Sequence, residues 1–300
     1  MENKLVKALA LNGMVRIYAI DTTNLVEKTR IQHDMWPTST AALGRLMSAS
    51  AMMAANFKEE NEKIQLSING GGPVGTVLVE AKGNGDVRGF VGDPHVYLTY
   101  NDSNKLAVGL AVGKEGYLKV TRDINRKDAK ESKFTSTVDL LSGEIAEDIA
   151  YYYVTSEQTP SLVSLGVLID PDNICIASGG LIIQMMPDAT EEDIIKVEQL
   201  TNNLEPISKM INDGKTPSEI ITSIFEDAKI LDTKEVRLYC DCSEIRFKAA
   251  ISTMSEEDIT AMIEEDHGCE VKCEFCNTKY NFSEEDLKSI LSFKKTTCGK

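Results

Sequence analysis

Polar and apolar residues alternate early in the chain. Met14-Val15-Arg16-Ile17-Tyr18-Ala19-Ile20 has the period of a strand, as do Ile64-Gln65-Leu66-Ser67-Ile68 and Gly75-Thr76-Val77-Leu78-Val79-Glu80. Asn69-Gly70-Gly71-Gly72-Pro73 between the last two predicts a turn. The glycines do not read as a phosphate cradle, because no Walker lysine or dinucleotide pattern follows and the next segment is strand-like. Helical spacing predicts helices over Leu25–Ile31, Ala41–Phe57 and Ile145–Thr155. Mostly sequential strands with helices clustered between them predict an α+β domain over residues 1–187.

After Pro187 the pattern turns helical. Thr190-Glu191-Glu192-Asp193 is a capping sequence with acidic residues where the helix dipole favours them, followed by a stripe of Ile194, Val197, Leu200 and Leu204. Thr216-Pro217-Ser218-Glu219 combines a capping threonine, proline at the first helical position and a glutamate that completes a capping box. Ile220, Ile221, Ile224 and Phe225 follow at helical spacing. Residues 188–229 therefore read as a helical linker of two packed helices lying on the first domain.

The remaining segment, 230–300, reads as a small domain. Glu235–Tyr239 is strand-like, and Ser255 and Ser283 each precede an acidic helix start. Val271–Cys276 and Lys279–Phe282 predict a hairpin. Its helices carry few apolar residues (Ile259, Met262, Ile263, Leu287, Ile290 and Leu291), and a domain with so small a core commonly needs a staple such as a metal.

Charge narrows the partners. The 300 residues carry a formal charge of −15, which argues against tracking nucleic-acid phosphates. Lys7 interrupts the N-terminal apolar run, so a signal peptide is not expected, and Ala41–Phe57 is too short and too polar to span a membrane. These features predict a cytoplasmic protein with no membrane partner, whose thiols are kept reduced. No serine or cysteine is paired with a convincing base and there are only three histidines, so a hydrolytic enzyme is not expected.

Four cysteines supply the chemistry: Cys240-Asp241-Cys242 and Cys273-Glu274-Phe275-Cys276, separated by residues 243–272. Two close thiolate pairs suit a tetrahedral, closed zinc site, so Cys240, Cys242, Cys273 and Cys276 are expected to bind one zinc ion. The spacer exceeds the ~15–20 residues of common double-knuckle sites, and helices within it account for the excess. Cys240 and Cys242 converge on one ion only if the chain bends. Each pair is also close enough to form a disulfide, although Cα atoms two residues apart reach up to ~7 Å, at the edge of disulfide geometry. The residues alone leave an inert staple and a redox switch both open. Cys269 and His267 could compete as ligands but have the wrong spacing. Cys298 falls in a tail expected to fray, and Cys175 reads as a small core residue.

At these positions the chain resembles the heat shock protein 33 family of redox-regulated chaperones. The likeness extends to Ser142-Gly143-Glu144-Ile145-Ala146-Glu147-Asp148-Ile149-Ala150-Tyr151-Tyr152-Tyr153, to Ser156–Ser161, to Gly179–Gln184, to Gly70–Gly92 and to Cys273–Phe282. The resemblance implies a holdase, not an enzyme: zinc-bound and inactive when reduced, and oxidised to Cys240–Cys242 and Cys273–Cys276 disulfides with loss of zinc. The C-terminal domain would unfold, the linker would lose its order, and the protein would dimerise and bind unfolding clients. The negative charge fits a protein that must stay soluble with apolar surface exposed. Two other readings compete: a zinc-ribbon nucleic-acid-binding module, disfavoured by charge, and a thiol oxidoreductase using Cys273-x-x-Cys276, a motif that normally opens a helix.

Overall fold

The computed structural model describes residues 3–100, 105–124 and 133–298, which fall into two compact units, 1–239 and 240–300. The first unit begins with β1 (Lys4–Ala10), β2 (Val15–Asp21), α1 (Thr23–His33), α2 (Pro37–Ala54), β3 (Lys63–Gly71), β4 (Val77–Lys82), β5 (Asp86–Val91), α3 (Val108–Val112) and β6 (Gly113–Asp123). It continues with β7 (Lys133–Asp139), α4 (Ala146–Ser156), β8 (Ser161–Ile169), β9 (Cys175–Met185), α5 (Glu191–Thr201), α6 (Ile207–Asn212), α7 (Pro217–Ile224), β10 (Lys229–Glu235) and β11 (Arg237–Leu238). The strands form a five-stranded sheet, β10-β1-β2-β9-β8, and a six-stranded sheet, β11-β5-β4-β3-β6-β7. All the pairs are antiparallel except β11 on β5. The α+β class read from the sequence is the class observed.

Helix α2 packs on both sheets and is buried nearly all round. Its Ala, Ser, Gly and Met side chains are what such a site requires. A Cβ on Gly44 would lie 2.9 Å from both Val26 and Val167. The hydroxyls of Ser48 and Ser50 donate to the carbonyls of Gly44 and Leu46, so neither is left unsatisfied. The helix starts earlier than its apolar pattern suggests because Pro37 occupies the first turn. The glycine run also differs from its reading as a turn. Gly70 and Gly71 end β3, and a Cβ on Gly70 would sit 2.2 Å from the Gly113 carbonyl, so close backbone approach is what excludes larger residues there.

On the outer face of the five-stranded sheet, Val6, Ala8, Val15, Ile17, Leu181 and Ile183 pack under Ile207, Met210, Ile211, Ile220, Ile221 and Phe225. Three helices stand where two were expected. The unforeseen one, α6, follows Pro206 and is too short to show a full period. The capping boxes at Thr190 and Thr216 form as read. The α5 stripe does not bury: Val197 is covered, but Ile194 and Leu200 are 37% and 40% exposed.

The second unit comprises α8 (Glu244–Ile251), α9 (Glu256–Glu264), β12 (Gly268–Lys272), β13 (Lys279–Ser283) and α10 (Glu284–Cys298). Strands β12 and β13 form an antiparallel hairpin. Among the described residues its core cluster buries Ile251, Ile259, Ile263, Phe282, Leu287 and Ile290. Ser243, Ser255 and Ser283 each accept a backbone N–H at the start of a helix.

Candidate metal centre

Two local structures converge in the second unit. Cys273–Thr278 forms the turn between β12 and β13. The N–H groups of Cys276 and Asn277 donate to the Cys273 carbonyl at 3.3 and 2.8 Å, and the Cys273 N–H donates to Thr278 O at 2.9 Å. Asn277 takes φ 57°, a left-handed conformation that asparagine tolerates better than most residues. Cys240-Asp241-Cys242 has no regular secondary structure and runs directly into the Ser243 cap of α8. Arg246 holds the bend by donating to the Asp241 carboxylate at 2.7 Å and to its carbonyl at 2.9 Å.

The sulfurs of Cys240, Cys242, Cys273 and Cys276 all lie within 4.8 Å of one another. Cys240 Sγ is 3.8 Å from Cys273 Sγ, and Cys242 Sγ is 3.3 Å from Cys276 Sγ. These are non-bonded separations, and none of the four is in a disulfide. A tetrahedron of four thiolates at ~2.3 Å from a metal has edges of ~3.8 Å, so this donor set fits a thiophilic ion with no open coordination position. Cys273 is 5% exposed and its partners are half-buried.

Hydrogen bonds separate the thiols. Burial pushes Cys273 up to about 12 and also raises Cys242. At Cys276 burial acts the same way, but hydrogen bonds from the Thr278 hydroxyl and backbone override it and bring the thiol down to about 7. The Thr278 hydroxyl lies 3.2 Å from Cys276 Sγ, and the Tyr280 hydroxyl lies 3.3 Å from Cys242 Sγ. The bond to Cys242 in turn holds the Tyr280 phenol up at about 12. A dication would stabilise all four thiolates at once and release the remaining protons.

The four residues singled out by spacing are brought together. Cys269 lies on β12 against the small core, and His267 Nδ1 is 2.7 Å from Glu284 Oε1; neither belongs to the cluster. Cys175 is buried in β9 and pushed up to about 12 by that burial. Cys298 lies in α10, with its side chain outside the described residues. Sequence reasoning missed the supporting groups Tyr280, Thr278 and Arg246. Only the position of Tyr280 and Thr278 just after the second pair could have pointed to them.

No helix among the described residues is long and apolar enough to cross a membrane. A family model described as "Hsp33 protein" matches residues 3–283. A protein of Staphylococcus carnosus named "33 kDa chaperonin" is 45% identical over 97% of this chain and 98% of its own length. A Bacillus subtilis protein of the same name is 45% identical over 95% of this chain and 97% of its own. The crystal structure of a "33 kDa chaperonin (Heat shock protein 33 homolog)" from Thermotoga maritima is similar with a TM-score of 0.89 and 33% identity, covering 99% of this chain and 100% of that one.

Proposed function

This chain belongs to the Hsp33 family, and we propose that it is a redox-regulated holdase whose four clustered thiols are its switch. The observation that carries this reading is the clustering of the Cys240, Cys242, Cys273 and Cys276 sulfurs within 4.8 Å of one another, in a unit whose core holds six buried residues among the described ones. A bound zinc ion would neutralise four thiolates and cross-link both ends of the unit. The Cys273–Thr278 turn and the Asp241–Arg246 pair hold the sulfurs in position for it, and the hydroxyls of Tyr280 and Thr278 share the thiolate charge.

Oxidation of Cys240 with Cys242 and of Cys273 with Cys276 would take two electrons per disulfide. Peroxide would accept them and leave as water. No thiolate ligand then remains for the metal, and a unit with so small a core loses its order. In this scheme residues 1–187 form the core domain, 188–229 the linker and 230–300 the switch. Release of α6 and α7 would uncover the Val6, Ile17 and Leu181 face of the five-stranded sheet to unfolding clients. We further assign it a cytoplasmic location, dimerisation on activation and no enzymatic or nucleic-acid-binding role. The oxidoreductase alternative finds less support, because the Cys273-x-x-Cys276 turn joins two strands and does not open a helix.

Treating zinc-loaded protein with peroxide at raised temperature should release zinc, consume four thiols and suppress aggregation of a denatured client. Zinc release with no such suppression would refute the holdase. Cys273→Ser should lose the metal and melt the second unit, whereas Cys269→Ser should keep both metal and thermal behaviour. Peptide mapping after oxidation should recover the two within-pair disulfides; cross-pair products would overturn the pairing.

A further inference from the structure

A cleft of about 1060 Å³ opens in the first unit. It is bounded by β1 and β2 on one side, by the segment following α2, and by Arg122 of β6. Its size is at the upper end of the ~300–1,000 Å³ of ordinary ligand sites. There is room for a few residues of extended chain, but not for a folded domain.

Lys7, Arg16, Lys58 and Arg122 line it with Glu59, Glu62 and Glu157, so cations outnumber carboxylates by one in a chain whose formal charge is −15. Glu157 is occupied by Arg122 at 3.0 Å and by the Tyr152 hydroxyl at 2.5 Å. Glu62 turns back to accept the N–H groups of Lys58 and Glu59 at 3.0 and 3.3 Å. Lys7 and Arg16 also line the cleft, and among the described residues neither has a carboxylate within ion-pair distance. Asp232 stands opposite Lys7 on β10 without reaching it. Burial lowers the pKa of Lys7 and the neighbouring Arg16 charge lowers it further, a mutual opposition that an anion between them would relieve. Arg122 Nε is buried without a hydrogen-bond partner on the same wall. Around these cations lie Met53, Phe57, Met185 and Met186. Methionine adapts to ligands of varied shape, so this apolar floor is suited to many side chains rather than one.

We propose that this cleft is a peptide-binding site that takes a carboxylate of an extended client segment between Lys7 and Arg16, with the adjoining apolar side chains against Met53, Phe57, Met185 and Met186. That the ligand is a peptide rests on the holdase reading above; the charge and lining of the site do not.

The probe is dansyl-Leu-Phe-Leu with a free C-terminal carboxylate, compared with its C-terminal amide and with octanoate, by fluorescence anisotropy on the full-length protein. The free acid should bind saturably, and the amide roughly tenfold more weakly. Lys7→Gln combined with Arg16→Gln should reduce the acid to the level of the amide while amide binding stays unchanged, which reports an intact fold. Arg16→Lys should retain the preference. The site is overturned by absence of saturable binding, by equal binding of acid and amide, or by an acid preference that survives the double substitution. Binding of octanoate without either peptide would overturn the peptide assignment. Client aggregation with oxidised protein is followed in parallel. Suppression without peptide binding removes the cleft and leaves the holdase, while an acid preference without suppression leaves the cleft and removes the holdase.

Discussion

Arg237 Nε lies 2.5 Å from Asp86 Oδ1, and the two residues face each other in the parallel bridge between β11 and β5. The same bridge is fixed by Arg237 N–H donating to Gly85 O at 3.0 Å and Tyr239 N–H donating to Val87 O at 3.1 Å. Val236, between β10 and β11, is 1% exposed in the main core. The chain just before Cys240 is therefore tied into the six-stranded sheet by side chain, backbone and apolar burial together. If the second unit loses its order on oxidation, as proposed above, this anchor would stop the disorder at Tyr239.

Asp86→Asn removes the charge from a carboxylate that is almost wholly buried and also accepts from Asn84 at 2.8 Å. Amide exchange at Arg237–Tyr239 should speed up by roughly tenfold, the order expected from losing a charge-assisted hydrogen bond. Metal content of the reduced protein should be unchanged, since no ligand is touched. Unaltered exchange would show that the backbone bonds and Val236 suffice as the anchor.

Tyr280 has two contacts at the cysteine cluster, and they can be separated. Its ring packs on Phe247 with centroids 4.9 Å apart, while its hydroxyl meets Cys242 Sγ. Tyr280→Phe keeps the first and deletes the second. Outer hydrogen bonds of this kind typically change metal affinity by ~10–100-fold. Competition with a chromophoric chelator should show affinity weakened toward that range with an unchanged melting curve of the metal-loaded protein. Equal affinity would reduce the hydroxyl to a bystander.

The cluster of four cysteines was legible because short spacing brings the two thiols of a pair together, and the capping boxes at Thr190 and Thr216 because they are closed within four residues. The pairing of β1 with β10 left no trace in either segment: Lys4 meets Glu235 across almost the whole first unit, and long-range register has no local pattern. The α5 stripe misled for a related reason. Periodicity says which residues share a face but not whether anything covers it, and Ile194 and Leu200 remain partly in solvent. Glu144 was quoted only within a stretch of family resemblance, yet the structure makes it a hub.

At that hub, Arg45 donates to Glu144 at 2.6 Å, the Gly109 N–H donates at 3.1 Å, and the Tyr100 hydroxyl donates as well. Burial opposes ionisation of Glu144, but Tyr100 and Arg45 outweigh it and hold the carboxyl below its ordinary 4.5. A depressed folded-state pKa stabilises the fold above the unfolded value, and that contribution is lost as pH falls through the lower folded value. Tyr100 is itself held up at about 12, so it stays a donor throughout this range. Glu144→Gln should cost ~1–3 kcal/mol at about pH 7, and the gap from the unsubstituted protein should narrow toward about pH 3. Urea midpoints across that range provide the measurement. A gap independent of pH would mean that shape, not charge, is what Glu144 contributes.

Ile221 tests the covered face directly. It is fully buried in the cluster that joins α6 and α7 to the outer face of the five-stranded sheet, whereas Ile195 on α5 is 52% exposed. Truncating a buried isoleucine to alanine costs ~2–5 kcal/mol through lost transfer energy and the cavity left behind. Ile221→Ala should therefore loosen the helices from the sheet while all four thiols stay reduced and the metal stays bound. If that face grips clients, this variant should suppress aggregation without oxidation, at a temperature where the unsubstituted protein is silent. Ile195→Ala, which removes little buried area, should behave like the unsubstituted protein. A loosened Ile221→Ala protein, shown by a lower melting temperature but with no gain in suppression, would separate linker release from client capture and place the gripping surface elsewhere.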